Sequence, residues 1–408
     1  MKKIFFIIAL GLCLASSLES CQPQQPYAVD AKQPKYVFFF IGDGMGLAQV
    51  AAAEAYLAAK DGVIGSTNLS FSNFPVVGLI TTFSANNYVT CSAAAGTALS
   101  TGFKTNNGML GMLPDSSHLT SLTYKIKDAG YKIGVATTVG VDHATPAAFY
   151  ASVGHRSEYY NIALQLPGTN FDFFAGGGFI EPTDKDGGKP DVHRIVTEAG
   201  YTIVRRPDDV AGVKEKVILF QAEGKGADLP YAIDRTESDL TLPQITDAAI
   251  KFLDNAAGFF VMIEGGKIDW ASHANDGATA VYETIDFAEA VQRAVEFYHR
   301  YPDETLIVVT ADHETGGLAL NLGSSPGGLQ SIEQQHAQKQ QVNAKTYMNA
   351  IDAQPVQHAA TGLDWTSHDH TGISVPVYAI GAGSELFGGK YDNTDIPKRI
   401  CKAMGVAF

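Results

Sequence analysis

Three stretches of the chain are apolar at nearly every position, without alternation. They are Lys35–Ile41 (Lys-Tyr-Val-Phe-Phe-Phe-Ile), Phe259–Ile263 and Thr305–Val309. Each is short and rich in aromatic or branched side chains, the pattern of a strand buried on both faces. Weaker runs at Val77–Phe83, Tyr131–Val139 and Val375–Ile380 predict further strands. Helical patterns lie between them. Leu47–Lys60 is alanine-rich, which favours helix. Leu119–Ala129, Leu242–Ala256 and Asp392–Met404 also read as helices. Ala278–Tyr301 is long and amphipathic, with Val281, Ile285, Phe287, Ala290, Val291 and Val295 on its apolar side. Buried strands alternating with helices predict an α/β fold with a largely parallel central sheet between helices. Residues 166–242 mix glycines, prolines and short apolar runs, and read as an insertion on that domain. Residues 324–357 are glutamine-rich and irregular, and read as a surface insertion or lid.

The buried strands deliver acids. Asp43, Glu264 and Asp312 each stand just past the carboxyl end of one of the three. In a parallel sheet those ends share one edge, where ligands bind. Carboxylates gathered there repel one another unless cations bind. Asp269 and His273 are four apart, hence on one face of a helix. With His313 and His370 they complete a donor set for two or three ions. The turn Gly42-Asp43-Gly44-Met45-Gly46 resembles a dinucleotide-binding turn, but Leu47 stands where the third glycine belongs. Asp43 would also repel a phosphate there, so a metal ligand is the better reading. Ser92 falls at or near a helix N-terminus, which favours a nearby anion; a serine N-cap is the plain alternative. Asp142-His143-Ala144-Thr145-Pro146 opens another helix, and Arg156 closes that block.

Charge and length narrow the classes. The 408 residues suit one large α/β domain or two smaller ones. Lys and Arg total 29 against 43 Asp and Glu, a net charge of −14 with no basic run, which argues against a nucleic-acid-binding module. An acidic chain is also a poor host for an anionic substrate unless metal ions reverse the local field. The N-terminus has the form of a targeting segment: Lys2-Lys3, then the apolar Ile4–Ala15, too short to span a bilayer with ease. Ser16-Ser17-Leu18-Glu19-Ser20-Cys21 resembles a bacterial lipoprotein signal with Cys21 as the lipid-bearing residue; Glu19 is atypical, which leaves plain secretion open. The reading is a signal over 1–21, a flexible tether over 22–34, and a single catalytic domain over 35–408. The chain is expected to be exported, in the periplasm or as an outer-membrane-associated lipoprotein, touching membrane only through that anchor. Cys91 and Cys401 are the cysteines left over, too few for a disulfide framework; their pairing stays open.

Six motifs, in order, resemble those of the alkaline phosphatases, metal-dependent phosphomonoesterases. They are Ile41-Gly42-Asp43-Gly44-Met45-Gly46, Thr90-Cys91-Ser92-Ala93-Ala94, His143-Ala144-Thr145-Pro146 with Arg156, Glu264 through His273, Ala311-Asp312-His313-Glu314, and His370-Thr371-Gly372. The resemblance implies two Zn2+ and one Mg2+, and phosphate monoester substrates. Asp269, His273 and His370 would hold the first zinc, and Asp43, Asp312 and His313 the second. Asp43 would bridge to magnesium, also held by Thr145 and Glu264. Ser92 would be the nucleophile, forming a phosphoserine, and Arg156 would grip the phosphoryl oxygens. Relatives are often dimers, so a homodimer is a further expectation. Three residues near the substrate depart from common patterns. Cys91 stands where many relatives carry an aspartate that positions the arginine. His143 replaces an aspartate near the third ion, and Trp270 a lysine or histidine near the phosphate. Phosphodiesterases of the same superfamily share the metal ligands. Sulfatases require a proline and arginine after the nucleophile, whereas Ser92 is followed by Ala-Ala-Ala. A metal- or phosphate-binding protein without catalysis would lack a nucleophile or ligand, and none is missing.

Overall fold

The computed structural model describes residues 32–408 except 185–186, 323 and 341–361. The signal, the tether up to residue 31 and the segment from 341 onward within 324–357 lie outside the described residues. Strand β1 (Tyr36–Gly42) forms where the sequence places it, with all seven residues buried. Alternate side chains of a strand leave by opposite faces. Accordingly Phe38 and Phe40 meet Phe297 and Phe287 edge-on, at centroid distances of 5.6 and 5.9 Å, while Phe39 meets Phe149 at 6.1 Å. Phe287 and Phe297 belong to the long amphipathic helix Gly277–Arg300. Phe149 follows the short helix Ala144–Ala147 on the other side. An unbroken apolar run is what a strand needs when both its faces are covered.

The remaining strands are β2 (Val76–Thr81), β3 (Lys132–Thr137), β4 (Phe173–Gly176), β5 (Tyr201–Val204), β6 (Lys216–Phe220), β7 (Phe259–Gly265), β8 (Thr305–Thr310), β9 (Glu314–Thr315), β10 (Ala319–Leu320), β11 (Leu363–Asp364), β12 (His370–Thr371), β13 (Val375–Gly381) and β14 (Gly389–Asp392). Ten of them form one sheet in the order β14-β2-β13-β8-β1-β7-β3-β4-β6-β5. Every pairing is parallel except those of β13, which runs against β2 and β8. The expected largely parallel sheet is present. Residues 166–242, expected as an insertion, instead supply β4, β5 and β6 and extend the sheet on one side. Their apolar runs of four or five residues, separated by turns and short helices, carry too little periodicity to reveal a shared sheet.

Register fixes where the chemistry falls. Ile41 pairs with Glu264 on one side and Thr310 on the other, and Thr137 pairs with Glu264 across the next gap. The four central strands β8, β1, β7 and β3 therefore end in line. Asp43, Glu264 and Asp312 follow at one edge.

Candidate active site

Each element entering this edge has a local reason to be there. The turn after β1 reverses at Gly44, whose φ of +74° suits glycine. A Cβ at Gly44 would sit 2.8 Å from the Asp269 Cα and from the Thr315 hydroxyl, so the turn can press against both only as glycine. The helix Leu47–Lys60 then starts with the Gly46 amide donating to the Gln49 side chain at 3.0 Å. The helix Ser92–Thr101 starts at Ser92 itself; Cys91, extended at φ −107° and ψ 163°, is the N-cap. The serine N-cap alternative is thus corrected: Ser92 is the first helical residue, and its hydroxyl is free to face the site. Asp269 and His273 lie on the helix Lys267–His273 and share a face as their spacing predicts, with His273 Nε2 3.4 Å from Asp269 Oδ1.

Three groups of donors converge. His273 Nε2, His370 Nε2 and Asp269 Oδ1 form a triangle with sides of 3.1, 3.4 and 3.5 Å. Bonds of about 2.0–2.1 Å to a tetrahedral ion put neighbouring donors about 3.3 Å apart, so the triangle has the size of one zinc face. His313 Nε2 lies 3.1 Å from Asp312 Oδ2 and 3.5 Å from Asp43 Oδ1. Asp43, His143 and Glu264 form the third group, and Thr145 donates to Asp43 Oδ2 at 3.3 Å. The groups adjoin, because the His313 ring stacks on His370 with centroids 3.5 Å apart.

The donors fit divalent ions on an independent ground. Asp43 Oδ1, Asp312 Oδ2 and Glu264 Oε1 are buried without a hydrogen-bond partner, which is unfavourable for any carboxylate left uncompensated. Burial, reinforced by the neighbouring carboxylates, raises the Asp43 pKa far above the usual range and brings Asp312 to about 8. Burial likewise lifts Glu264 to about 7. Burial, with His370 and His273 nearby, drives the His313 pKa well down, and burial also lowers that of His370. Neutral imidazoles beside acids that require a counter-charge are what a metal centre uses.

Beside this cluster, Ser92 Oγ lies 3.3 Å from His313 Nε2, and Arg156 Nη1 approaches Ser92 Oγ at 3.4 Å. Arg156 Nη2 meets His143 Nε2 at 3.1 Å. Burial and the guanidinium hold the His143 pKa down at about 3, so the ring accepts that hydrogen bond while neutral. Trp270 stands edge-on to His143, with ring centroids 5.9 Å apart. Cys91 makes no hydrogen bond to the guanidinium. Its Sγ accepts from the Gly108 amide at 3.1 Å, and the Gly108 carbonyl accepts from the Arg156 amide at 2.8 Å. Cys91 and Cys401 are both free thiols. The expected ligands therefore come together with Ser92, Arg156, His143, Trp270 and Cys91.

A model of the alkaline phosphatase family matches residues 34–406. The chain belongs to the alkaline phosphatase family. It is 32% identical to alkaline phosphatase 3 of Bacillus subtilis, the alignment covering 99% of this chain and 97% of that one. Among solved structures, the alkaline phosphatase of the Antarctic bacterium TAB5 superposes with a TM-score of 0.75 at 31% identity, over 92% of this chain and 99% of the other. That of Thermus thermophilus gives 0.78 at 26% identity, over 95% and 96%. A histidine-to-glutamate variant of the TAB5 enzyme is described with magnesium in its M3 site. This alkaline phosphatase is accordingly a phosphomonoesterase.

Several neighbours of the donor groups carry no role in the sequence reading; His368, two before His370, is a candidate supporting residue there. Thr137 donates to Glu264 Oε2. Glu314, buried, accepts from Gln49 at 3.1 Å and from Thr371, tying the Leu47–Lys60 helix to β12. His368 Nδ1 meets the His273 carbonyl at 2.9 Å. Thr315 contacts Asp269 at 2.5 Å and His313 at 3.2 Å. Glu314 and Thr315 directly follow Asp312-His313, and a polar run inside an otherwise apolar strand-to-strand connection was the available signal.

Proposed function

We propose that this phosphatase is an exported enzyme that hydrolyses phosphate monoesters through a phosphoserine on Ser92, with two Zn2+ and one Mg2+ as cofactors. Asp269, His273 and His370 would hold one zinc, and Asp43, Asp312 and His313 the other. Asp43, Thr145 and Glu264 would hold magnesium, with His143 close by. The single observation that carries the reading is the set of buried, unpartnered carboxylate oxygens on Asp43, Asp312 and Glu264 within reach of neutral histidines and of the Ser92 hydroxyl. The magnesium seen in the TAB5 variant supports the third ion.

Bound divalent ions here supply charge neutralisation for the attacking and leaving oxygens and a lowered pKa for the hydrolytic water. The chain's own residues do the rest. Ser92 presents its oxygen from the first turn of a ten-residue helix, whose leading amides lack intrahelical acceptors and favour the phosphoryl anion. Arg156 offers a planar pair of N–H groups to two phosphoryl oxygens. His143 holds one side of that guanidinium. Ser92 Oγ gives its proton to solvent and attacks phosphorus as the ester oxygen departs and takes a proton from water; a second water then adds to phosphorus, the P–Oγ bond breaks, Ser92 regains a proton and inorganic phosphate leaves. Trp270 and Cys91 wall the phosphate region. The basic start and apolar core at the N-terminus support export, with a lipid at Cys21 as the anchored form. No helix among the described residues is long and apolar enough to cross a membrane.

The test is phosphate release from an aryl phosphomonoester and the matching diester, after chelation and after restoring zinc and magnesium. Monoesterase activity that returns with the metals supports the proposal. Activity returning chiefly on the diester would overturn the substrate assignment. Ser92→Ala should keep its metals and lose rapid formation of a trapped phosphoenzyme; an undiminished phosphoenzyme would remove Ser92 from the role.

A further inference from the structure

We infer that Thr315 is a positioning residue whose single hydroxyl couples the two zinc-binding groups, by aiming Asp269 of one and fixing the tautomer of His313 in the other. Thr315 Oγ1 lies 2.5 Å from Asp269 Oδ1 and 3.2 Å from His313 Nδ1. A hydroxyl has one proton to give and two lone pairs to accept with. A carboxylate only accepts, so the proton goes to Asp269. The hydroxyl must then accept from His313, which places the imidazole proton on Nδ1. The lone pair of that ring is thereby at Nε2, the atom that faces Asp43, Asp312 and Ser92. Asp269 Oδ1, for its part, is the same oxygen that faces His273 and His370.

The hydroxyl is held where this works. Thr315 is fully buried in β9, paired with His370 of β12, and its amide donates to the Gly44 carbonyl at 3.2 Å. Gly44, lacking a Cβ, lets the turn after β1 close against the hydroxyl. Strand pairing, turn and hydroxyl thus lock ligands from two groups to one atom. Partners of this kind, behind the ligands, orient them and raise metal affinity. The coupling rests on the reading that Asp269 and His313 bind separate ions.

The experiment compares the unmodified chain, Thr315→Val, Thr315→Ala and Thr315→Ser. Zinc alone is titrated against a competing chromophoric chelator, and 15N spectra of the metal-free proteins report the His313 tautomer. The unmodified chain should show the Nδ1–H form. Thr315→Val and Thr315→Ala should bind zinc roughly 10–100-fold more weakly in both classes of site and lose the fixed tautomer, while Thr315→Ser keeps both. The alanine variant stands in if valine prevents folding. Weakening of one class alone, an unchanged tautomer, or an Nε2–H form in the unmodified chain would overturn the coupling. If the unmodified chain itself takes up no zinc, the metal-site reading fails instead.

Discussion

Metal-free enzyme should lose stability as pH rises from 7 to 8.5. Asp43, Asp312 and Glu264 are buried together, and burial lifts all three carboxyls, Asp312 to about 8 and Glu264 to about 7. In the unfolded chain such groups ionise near pH 4. Within the window the folded state therefore retains protons that the unfolded chain has released, and stability falls as pH rises. Each carboxyl contributes a slope of about 1.4 kcal/mol per pH unit while it stays protonated in the fold. Asp312 and Glu264 ionise partly within the window and together contribute about 2 kcal/mol, to which Asp43 adds in the same direction. His143, His313 and His370 act oppositely, because burial keeps them neutral where the unfolded chain would protonate. Their contribution grows with pH but is nearly complete by pH 7, above the ordinary histidine value of about 6.5. With an unfolding entropy of about 2.1 cal/mol/K per residue over the roughly 380 residues of Lys32–Phe408, 2 kcal/mol corresponds to about 2–3 °C, and Asp43 enlarges the fall. Scanning calorimetry of chelated protein across the window measures it. Asp312→Asn should remove most of the share that Asp312 and Glu264 supply, and zinc with magnesium should remove nearly all of the slope. A midpoint that stays flat or rises between pH 7 and 8.5 in the chelated protein would refute the electrostatic account of the site.

Other perturbations have equally definite outcomes. Cys91→Ala removes the acceptor for the Gly108 amide and loosens the backbone that carries Arg156; loss of about 1 kcal/mol of positioning should weaken inhibition by inorganic phosphate roughly fivefold, and an unchanged inhibition constant would show that His143 alone secures the arginine. Gly44→Ala forces a side chain into the left-handed region against Asp269 and Thr315; a loss of at least about 1–3 kcal/mol is expected by denaturant unfolding, and a stability equal to the unmodified chain would contradict the close packing. Arg235 makes a bidentate ion pair with Asp286 at 2.6 and 2.7 Å, both largely buried. Arg235→Ala leaves Asp286 uncompensated, and should lower stability by about 3–5 kcal/mol; a change within experimental error would mean that water replaces the guanidinium freely.

The site was more legible than the sheet around it, and the reason is physical. Phe38, Phe39 and Phe40 can occur in succession only where both faces are covered, so β1 announces its own place, and Asp43 at its end stands out as a charge where none is tolerated without a partner. The same logic exposed Glu264 and Asp312. By contrast Phe173–Gly176 and Tyr201–Val204 span four residues each, and nothing in so short a run distinguishes a sheet strand from a packed loop. Contacts across the fold were also hidden. Cys91 signalled only a missing aspartate; that its sulfur holds Gly108, and through it the Arg156 backbone, depends on a turn far from the motif. Thr315 was overlooked for a related reason, because a lone threonine carries no chemistry until Asp269 and His313 are both seen to reach it.

The local field of the site supplies a last consequence. Asp43, Glu264, Asp269 and Asp312 share one sheet edge in a chain of net charge −14. Without ions the buried acids are neutralised chiefly by protons, so a phosphate brought to that edge meets no positive charge beyond the guanidinium of Arg156 and the partial charge of the amides at the start of the Ser92 helix. Divalent ions would supply the missing positive charge, and on the proposed reading would be needed for binding the anion and not just for reacting with it. Chelation should therefore abolish binding of inorganic phosphate as well as turnover. Equilibrium dialysis with labelled phosphate, on chelated protein and on protein restored with zinc and magnesium, separates the two. Binding should appear only with the metals and should weaken at least tenfold in Arg156→Ala, since a charged bidentate contact is worth about 1.5–3 kcal/mol. Phosphate that stays bound after chelation, with Arg156 intact, would mean that the helix amides and guanidinium suffice.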